Sequence, residues 1–249
     1  MTEQTLLRRT VRTASLLIYA VWLAAVPLET ALADEGASDW FVTQQNEVRL
    51  ISATQGVGDG KIVQLGLQFK LKKGWKVYWR TPGDAGFPPR MDWTQSANLG
   101  KVKFNWPAPT RFEVLGFQTL GYKNEVVFPI PATVEDPNQP LKLRAKLRYL
   151  TCDDVCIPYQ TELSLGLPAG NGGATDHFQL INKFIAQVPG DGASHGLTIE
   201  KVETAGAFNA VKKDVRNGTI RVVATSPVPF KKPDIFVEGP ELAFFSPPN

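Results

Sequence analysis

The chain holds two thiols, Cys152 and Cys156, and both lie in the stretch LRYLTCDDVCIPYQ, Leu147 to Gln160. Two cysteines at this spacing could do three kinds of chemistry. They could form a small structural disulfide, supply half of a metal site, or cycle between dithiol and disulfide. Four residues of extended strand span about 13 Å, whereas a disulfide holds its Cα atoms about 4.4–6.8 Å apart. Bonding the pair therefore requires the chain to reverse at Asp153-Asp154, and Asp is a favourable turn residue.

Loop size and ligand supply separate the three. Closing a five-residue loop stabilises a fold by only about 2 kcal/mol, against about 3 for fifteen residues. A structural zinc site takes four ligands, and the histidines His177 and His195 belong to no ligand-spaced cluster, so no metal is expected. Both are expected to be ordinary surface or helix-end residues. Haem attachment would need C-x-x-C-H, which is absent. Thioredoxin-type catalysts set C-x-x-C at a helix N-terminus, which lowers the thiol pKa. Here the spacing is wider, the context is β, and Asp153 and Asp154 put negative charge beside both sulfurs, which disfavours a thiolate. Such thiols suit a partner whose own low-pKa cysteine begins the exchange. From the residues alone thiol exchange ranks first, a loop-fixing disulfide second and metal third, and all three stay open.

The elements around the pair read as strands. EVRLISAT (47–54), KIVQLGLQFKLK (61–72), WKVYWR (75–80), KVKFNW (101–106), NEVVFPI (124–130), LKLRAKLRYL (141–150) and QTELSLGL (160–167) are rich in β-branched and aromatic residues. Leu141, Leu143, Ala145, Leu147 and Tyr149 alternate with Lys142, Arg144, Lys146 and Arg148, the pattern of a half-buried strand with a solvated basic face. TPGDAGFPPR (81–90) and WPAPTRF (106–112) are too rich in Pro and Gly for helix or central strand. The pair is thus expected on a loop after Leu150, with Ile157-Pro158 redirecting the chain.

One helix is predicted after PAGNGGA, capped by Thr175 or Asp176, with Phe178, Ile181, Ile185 and Val188 on one face and Pro189-Gly190 as the stop. Beyond the linker DGASHG, the segments LTIEKVETAG, TIRVVAT and PDIFVEG resume a strand pattern. The fold class is therefore all-β: a sandwich with one short helix and a second, partial β unit, either truncated or leading into a longer protein. Trp75, Tyr78, Trp79 and Trp93 are read as packing residues.

At the other end, Arg8, Arg9 and Arg12 precede an apolar run from Ala14 to Leu28, and Ala31-Leu32-Ala33 offers a small-residue cleavage site. Residues 1–33 are expected to be an export signal, with an uncleaved anchor as the alternative. Without them the formal charge falls from +3 to +2, because three Arg and two Glu leave. That near-neutral balance argues against nucleic acid as a partner.

Three blocks, GWKVYWRTPGDAGFPPRMDW (74–93), NWPAPTRFEVLGFQTLGYKNEVVFPI (105–130) and LRYLTCDDVCIPYQTELSL (147–165), resemble the periplasmic N-terminal domain of the DsbD/ScsB thiol:disulfide reductases, and more closely the ScsB-like branch. The resemblance covers roughly residues 40–168. It implies an immunoglobulin-like β-sandwich with a redox-active disulfide and no dissociable cofactor. It implies a periplasmic location, or the periplasmic part of an inner-membrane protein. Electrons would come from a membrane-embedded reductase module, in the same longer chain or a separate protein. They would go to thioredoxin-fold periplasmic proteins, in a setting that includes cytochrome c-type biogenesis. By the same resemblance Cys156 forms the mixed disulfides and Cys152 resolves them. An aromatic cap would fall near 117–123, making Phe117 and Tyr122 cap candidates, with Asp153 and Asp154 adjacent to the site. The DsbD branch has a wider cysteine spacing and an acidic pair before its cap; this chain has Gln118-Thr119-Leu120 there.

These readings divide the chain into a signal (1–33), a redox domain (40–170), a helix and linker (171–196) and a partial β domain (197–249). The rival from another class is a non-enzymatic, adhesin- or chaperone-like sandwich whose disulfide merely fixes a loop.

Overall fold

The computed structural model describes residues 35–114, 116–206, 218–239 and 245–249, so the expected export signal lies outside it. In chain order the first strands are β1 (Phe41–Val42), β2 (Asn46–Ser52), β3 (Ile62–Leu71), β4 (Lys76–Gly83) and β5 (Arg90–Asp92). Then come β6 (Leu99–Val102), β7 (Thr110–Val114), β8 (Phe117–Lys123) and β9 (Glu125–Val134). The hairpin β10 (Leu141–Cys152) and β11 (Cys156–Leu167) precedes helix α1 (Phe178–Ile185), and β12 (Thr198–Gly206) and β13 (Gly218–Thr225) end the series.

Two antiparallel sheets form an immunoglobulin-like sandwich, one ordered β1-β2-β3-β9-β6 and the other β11-β10-β4-β8-β7, with β5 added alongside β10. Period-two alternation sends Leu50, Leu65, Leu67, Phe69, Phe128 and Ile130 from one sheet, and Leu141 to Tyr149 from the other, into one core. Phe128 is its aromatic centre, with ring centroids of Phe104, Trp106 and Tyr122 each 5.1 Å away and Phe69 at 6.0 Å. Tyr149 and Tyr122 lie buried here, their hydroxyls donating to Asn46 Oδ1 and to the Pro107 carbonyl, each at 2.7 Å.

Prolines explain where one expected strand stops. The segment after Val102 runs beside β9, and the amides of Lys103 and Asn105 donate to Pro131 and Pro129 carbonyls at 3.1 and 2.9 Å. Neither proline has an N–H to return the bond, so the ladder is one-sided and β6 ends before Phe104. On its other edge β9 pairs normally with β3 through Val134's neighbour Thr133, which carries β9 past the expected limit at Ile130. WPAPTRF contributes its last residues to β7, at the sheet edge.

The helix is shorter than predicted and turns a different face inward. Ile181 and Phe184 are buried, whereas Phe178 and Ile185 are more than a third exposed. The site that receives Ile181 decides this: a Cβ on Gly66 would lie 3.3 Å from Ile181 and 2.6 Å from Val127, so the bare glycine is what lets the helix seat. His177, read as a surface or helix-end residue, stands at the helix start but is buried. The cap is His177 itself, without a side-chain cap bond; Thr175 instead accepts from the His177 amide.

β12 and β13 make a separate two-stranded sheet. PDIFVEG, expected to be a strand, has no strand neighbour among the described residues and lies along the sandwich through side chains. Arg111 donates to both carboxylate oxygens of Asp234 at 3.2 and 3.0 Å, Phe236 packs 5.9 Å from Trp79, and Arg80 pairs with Glu238.

Buried phenols give the fold an alkaline limit. Burial pushes the hydroxyls of Tyr122 and Tyr149 well above the usual range and that of Tyr78 up to about 12. Each folded value lies above the unfolded one, so this stabilisation is complete below about pH 10 and is lost as pH rises from there. Urea unfolding at stepped pH should show constant stability from about pH 7 to 9, then a loss of about 1.4 kcal/mol per unit for each phenol. Phenolate absorbance rising fully near pH 10 with the fold intact would contradict this.

Candidate functional site

The hairpin that carries the thiols is paired without interruption from Leu141↔Leu167 to Cys152↔Cys156. The cysteines are therefore not on a loop after Leu150; they are the last cross-strand pair. Ile157 and Pro158 do not redirect the chain but continue β11, which tolerates a proline because it is the sheet edge. Directly opposed residues at a hairpin end are close enough to bond, and the S–S bond is present with the Cα atoms 4.2 Å apart. Asp153, Asp154 and Val155 form the turn, closed by the Asp153 amide donating to the Val155 carbonyl at 3.1 Å.

The two sulfurs have unequal surroundings. Cys152 is fully buried, in a small cluster with Tyr78, Phe112 and Val114 that is separate from the main core. Cys156 is exposed. Burial leaves Cys156 as the residue of the pair open to solvent, and attack at its Sγ would place the electron pair of the broken S–S bond on Cys152. The Tyr78 hydroxyl lies 4.0 Å from Cys156 Sγ and, with its pKa pushed up to about 12 by burial, stays a neutral donor at physiological pH. A Cβ on Gly86 would stand 2.5 Å from the Tyr78 ring; only glycine, at its φ of +97°, lets that loop lie on the phenol.

Asp153 does not present an uncompensated charge to the sulfurs. Lys76 stands directly across from Cys152 on β4, and its Nζ lies 3.1 Å from Asp153 Oδ1. The lysine is nearly buried, with 11% of its side chain exposed against 34% for Asp153. Gly74, at φ +92°, makes room, since a Cβ there would sit 2.2 Å from Asp153 Oδ2. Asp154 is exposed at the turn. Lys76 and Tyr78 were legible only as one parity of WKVYWR, the face opposite the core residues Val77 and Trp79; nothing local to Cys152 names them.

The cap candidates separate. Phe117 opens β8, half exposed, paired with Val114 of the Cys152 cluster. Tyr122 is a core residue, buried against Phe128 and bonded to Pro107, and so has no surface with which to cover a sulfur. Among the described residues no three His, Cys, Asp or Glu side chains gather as a metal site would require. His195 sits in a short 3-10 turn (Ala193–His195).

Fold and site together define a β-sandwich domain with a disulfide at the solvent-facing end of its longest hairpin. Residues 45–168 match the family described as the N-terminal domain of the thiol:disulfide interchange protein DsbD, and 187–249 match a domain of unknown function, DUF8393. The fold is similar to the N-terminal periplasmic domain of ScsB from Proteus mirabilis, with 25% identity and a TM-score of 0.53, over 78% of this chain and 86% of that one. A second similar structure is the N-terminal domain of Neisseria meningitidis DsbD in the reduced form, with 21% identity and a TM-score of 0.30, covering 52% of this chain and 90% of that one. No curated protein sequence matches the chain. Through residues 45–168 the chain belongs to the DsbD/ScsB family, as a thiol:disulfide interchange domain of the N-terminal type.

Proposed function

We propose that this chain is a periplasmic thiol:disulfide reductase domain, carrying electrons from a membrane-embedded reductase module to thioredoxin-fold periplasmic proteins. The observation that carries this reading is the unequal burial of the two sulfurs in a domain of this family. In the giving step, the Cys156 thiolate attacks the partner's disulfide and forms a mixed disulfide, releasing one partner thiolate. The Cys152 thiolate then attacks Cys156 Sγ, the mixed bond breaks, and the partner leaves as a dithiol. Two electrons pass to the partner and Cys152–Cys156 is oxidised. The reductase module's dithiol returns the pair to the reduced state by the same steps in reverse. The sulfurs carry the electrons, so no dissociable cofactor enters the cycle.

Support for the periplasm comes from the export-type N-terminus and from the similar ScsB domain, which is periplasmic. Among the described residues no helix is long and apolar enough to cross a membrane.

Redox titration of the purified chain tests the reading against the loop-fixing alternative. The expected midpoint lies above about −300 mV, outside the range of structural disulfides, with equilibration against a thioredoxin-fold protein. A midpoint well below that value, together with no exchange, would make the bond a staple.

A further inference from the structure

The disulfide shares its sheet face with a row of cations. Residues of one parity on β10 point to one side, so Lys142, Arg144, Lys146 and Arg148 lie on the same face as Cys152, opposite the core residues Leu141 to Tyr149. All four are exposed. β5 adds Arg90 directly opposite Arg148, and the carboxylates paired with the row across the ladders, Asp92 and Glu162, both stand opposite Lys146. Five cations therefore face two carboxylates, on a chain whose whole formal charge is +3.

Folding does not ask for this arrangement. An outward strand face is satisfied by any polar residues, and like charges set directly across from one another, as in Arg148 and Arg90, are destabilising. Lys142 and Arg144 face Gly166 and Ser164, which offer no counter-charge. The turn end is balanced differently, because Lys76 offsets Asp153 beside the sulfurs. Ten residues of strand separate Lys142 from Cys152, about 34 Å, comparable with the diameter of a domain of about 100 residues.

We propose that this basic ribbon is the docking track for an acidic protein surface that delivers a cysteine to Cys156. The proposal rests on the redox reading above and adds the chemistry of the partner: a domain with carboxylates flanking its reactive thiol. Cations aligned toward a reactive group raise the encounter rate of an oppositely charged partner by roughly 10-fold or more, an effect that salt removes.

The test uses the full chain in its oxidised form and two synthetic dithiol peptides. Both carry Cys-Gly-Pro-Cys behind a Gly-Ser spacer, one with five flanking Glu and the other with five flanking Lys. Each rate of Cys152–Cys156 reduction is normalised to the same peptide's rate with neutral hydroxyethyl disulfide, which removes differences in thiol reactivity. At about 50 mM salt the acidic peptide should react about 10-fold faster, and the gap should close by about 500 mM. Arg144→Glu with Arg148→Glu should abolish or invert the preference while reduction by dithiothreitol is unchanged, and Arg144→Gln with Arg148→Gln should fall between.

Equal normalised rates, or a preference that survives the charge reversal, would overturn the ribbon and leave the redox reading standing. Failure of the peptides and of dithiothreitol alike to reduce the bond would sink both. Sedimentation with phosphatidylglycerol vesicles, lost in the Glu variant while peptide rates stay equal, would assign the ribbon to a membrane surface and overturn the proposal.

Discussion

Cys152→Ala, reduced and mixed with an oxidised thioredoxin-fold protein, should accumulate a mixed disulfide through Cys156 that a reducing agent releases. Cys156→Ala under the same conditions should give at least tenfold less. The asymmetry follows from access: exchange needs near-linear approach of a sulfur to a sulfur, and Cys152 is walled in by Tyr78, Phe112 and Val114. Cys156 stands in solvent one residue past Val155, itself exposed. In the wild-type chain the mixed species is short-lived, because Cys152 is the direct cross-strand neighbour of Cys156 and stands beside its target in the hairpin. Removing the resolver is what makes the adduct persist. Non-reducing electrophoresis followed by mass spectrometry of the linked peptides reads the result. Equal or greater trapping through Cys152 would reverse the assigned roles.

Phe128→Ala should be the most destabilising single change in the sandwich that leaves the redox chemistry alone. Phe128 is fully buried and touches four aromatic rings from both sheets and from the loop after β6. Truncating such a side chain removes its transfer free energy and leaves a cavity that rigid aromatic neighbours cannot fill. The loss is about 3–5 kcal/mol. For a chain of this size that lowers Tm by roughly 10 °C. The disulfide should keep its midpoint within about 15 mV, equivalent to about 0.7 kcal/mol, because the Cys152 cluster is separate from the Phe128 core. Denaturant unfolding and a redox titration of the same variant check both halves. A midpoint shift beyond about 30 mV would show that the two clusters are coupled, and a loss under about 1.5 kcal/mol would deny Phe128 its central place.

Much of the site was readable along the chain because it is local. The turn at Asp153-Asp154 follows from what a disulfide between near neighbours requires, and the alternation of Leu141 to Tyr149 with Lys142 to Arg148 states which side of β10 is buried. The strands β2, β3, β4, β9, β10 and β11 were readable for the same reason, since β-rich runs and Pro-Gly punctuation are local signals, whereas β1, β5, β7 and β8 were not among the expected strands. Where the reading failed, a partner distant in sequence made the decision. The strand after Val102 stops because Pro129 and Pro131 cannot return hydrogen bonds. The helix rotates because Gly66, more than a hundred residues earlier, opens a seat for Ile181. Tyr122 falls inside the sandwich because β8 pairs with β4 in one register, and a one-residue slip would have sent it to the other face.

By itself, then, the sequence determined that a bond between the two cysteines would need a tight turn at Asp153-Asp154 in a β context, and that one outward strand face would be basic. Only the tertiary structure decided which cysteine is buried and which exposed, that Lys76 from β4 offsets Asp153, and that Tyr78 reaches Cys156. The reason is physical. Turn formation and face alternation are set by backbone geometry within a few residues, whereas burial, charge pairing and hydrogen bonding at the sulfurs are set by strands brought alongside from 77 or 78 positions away.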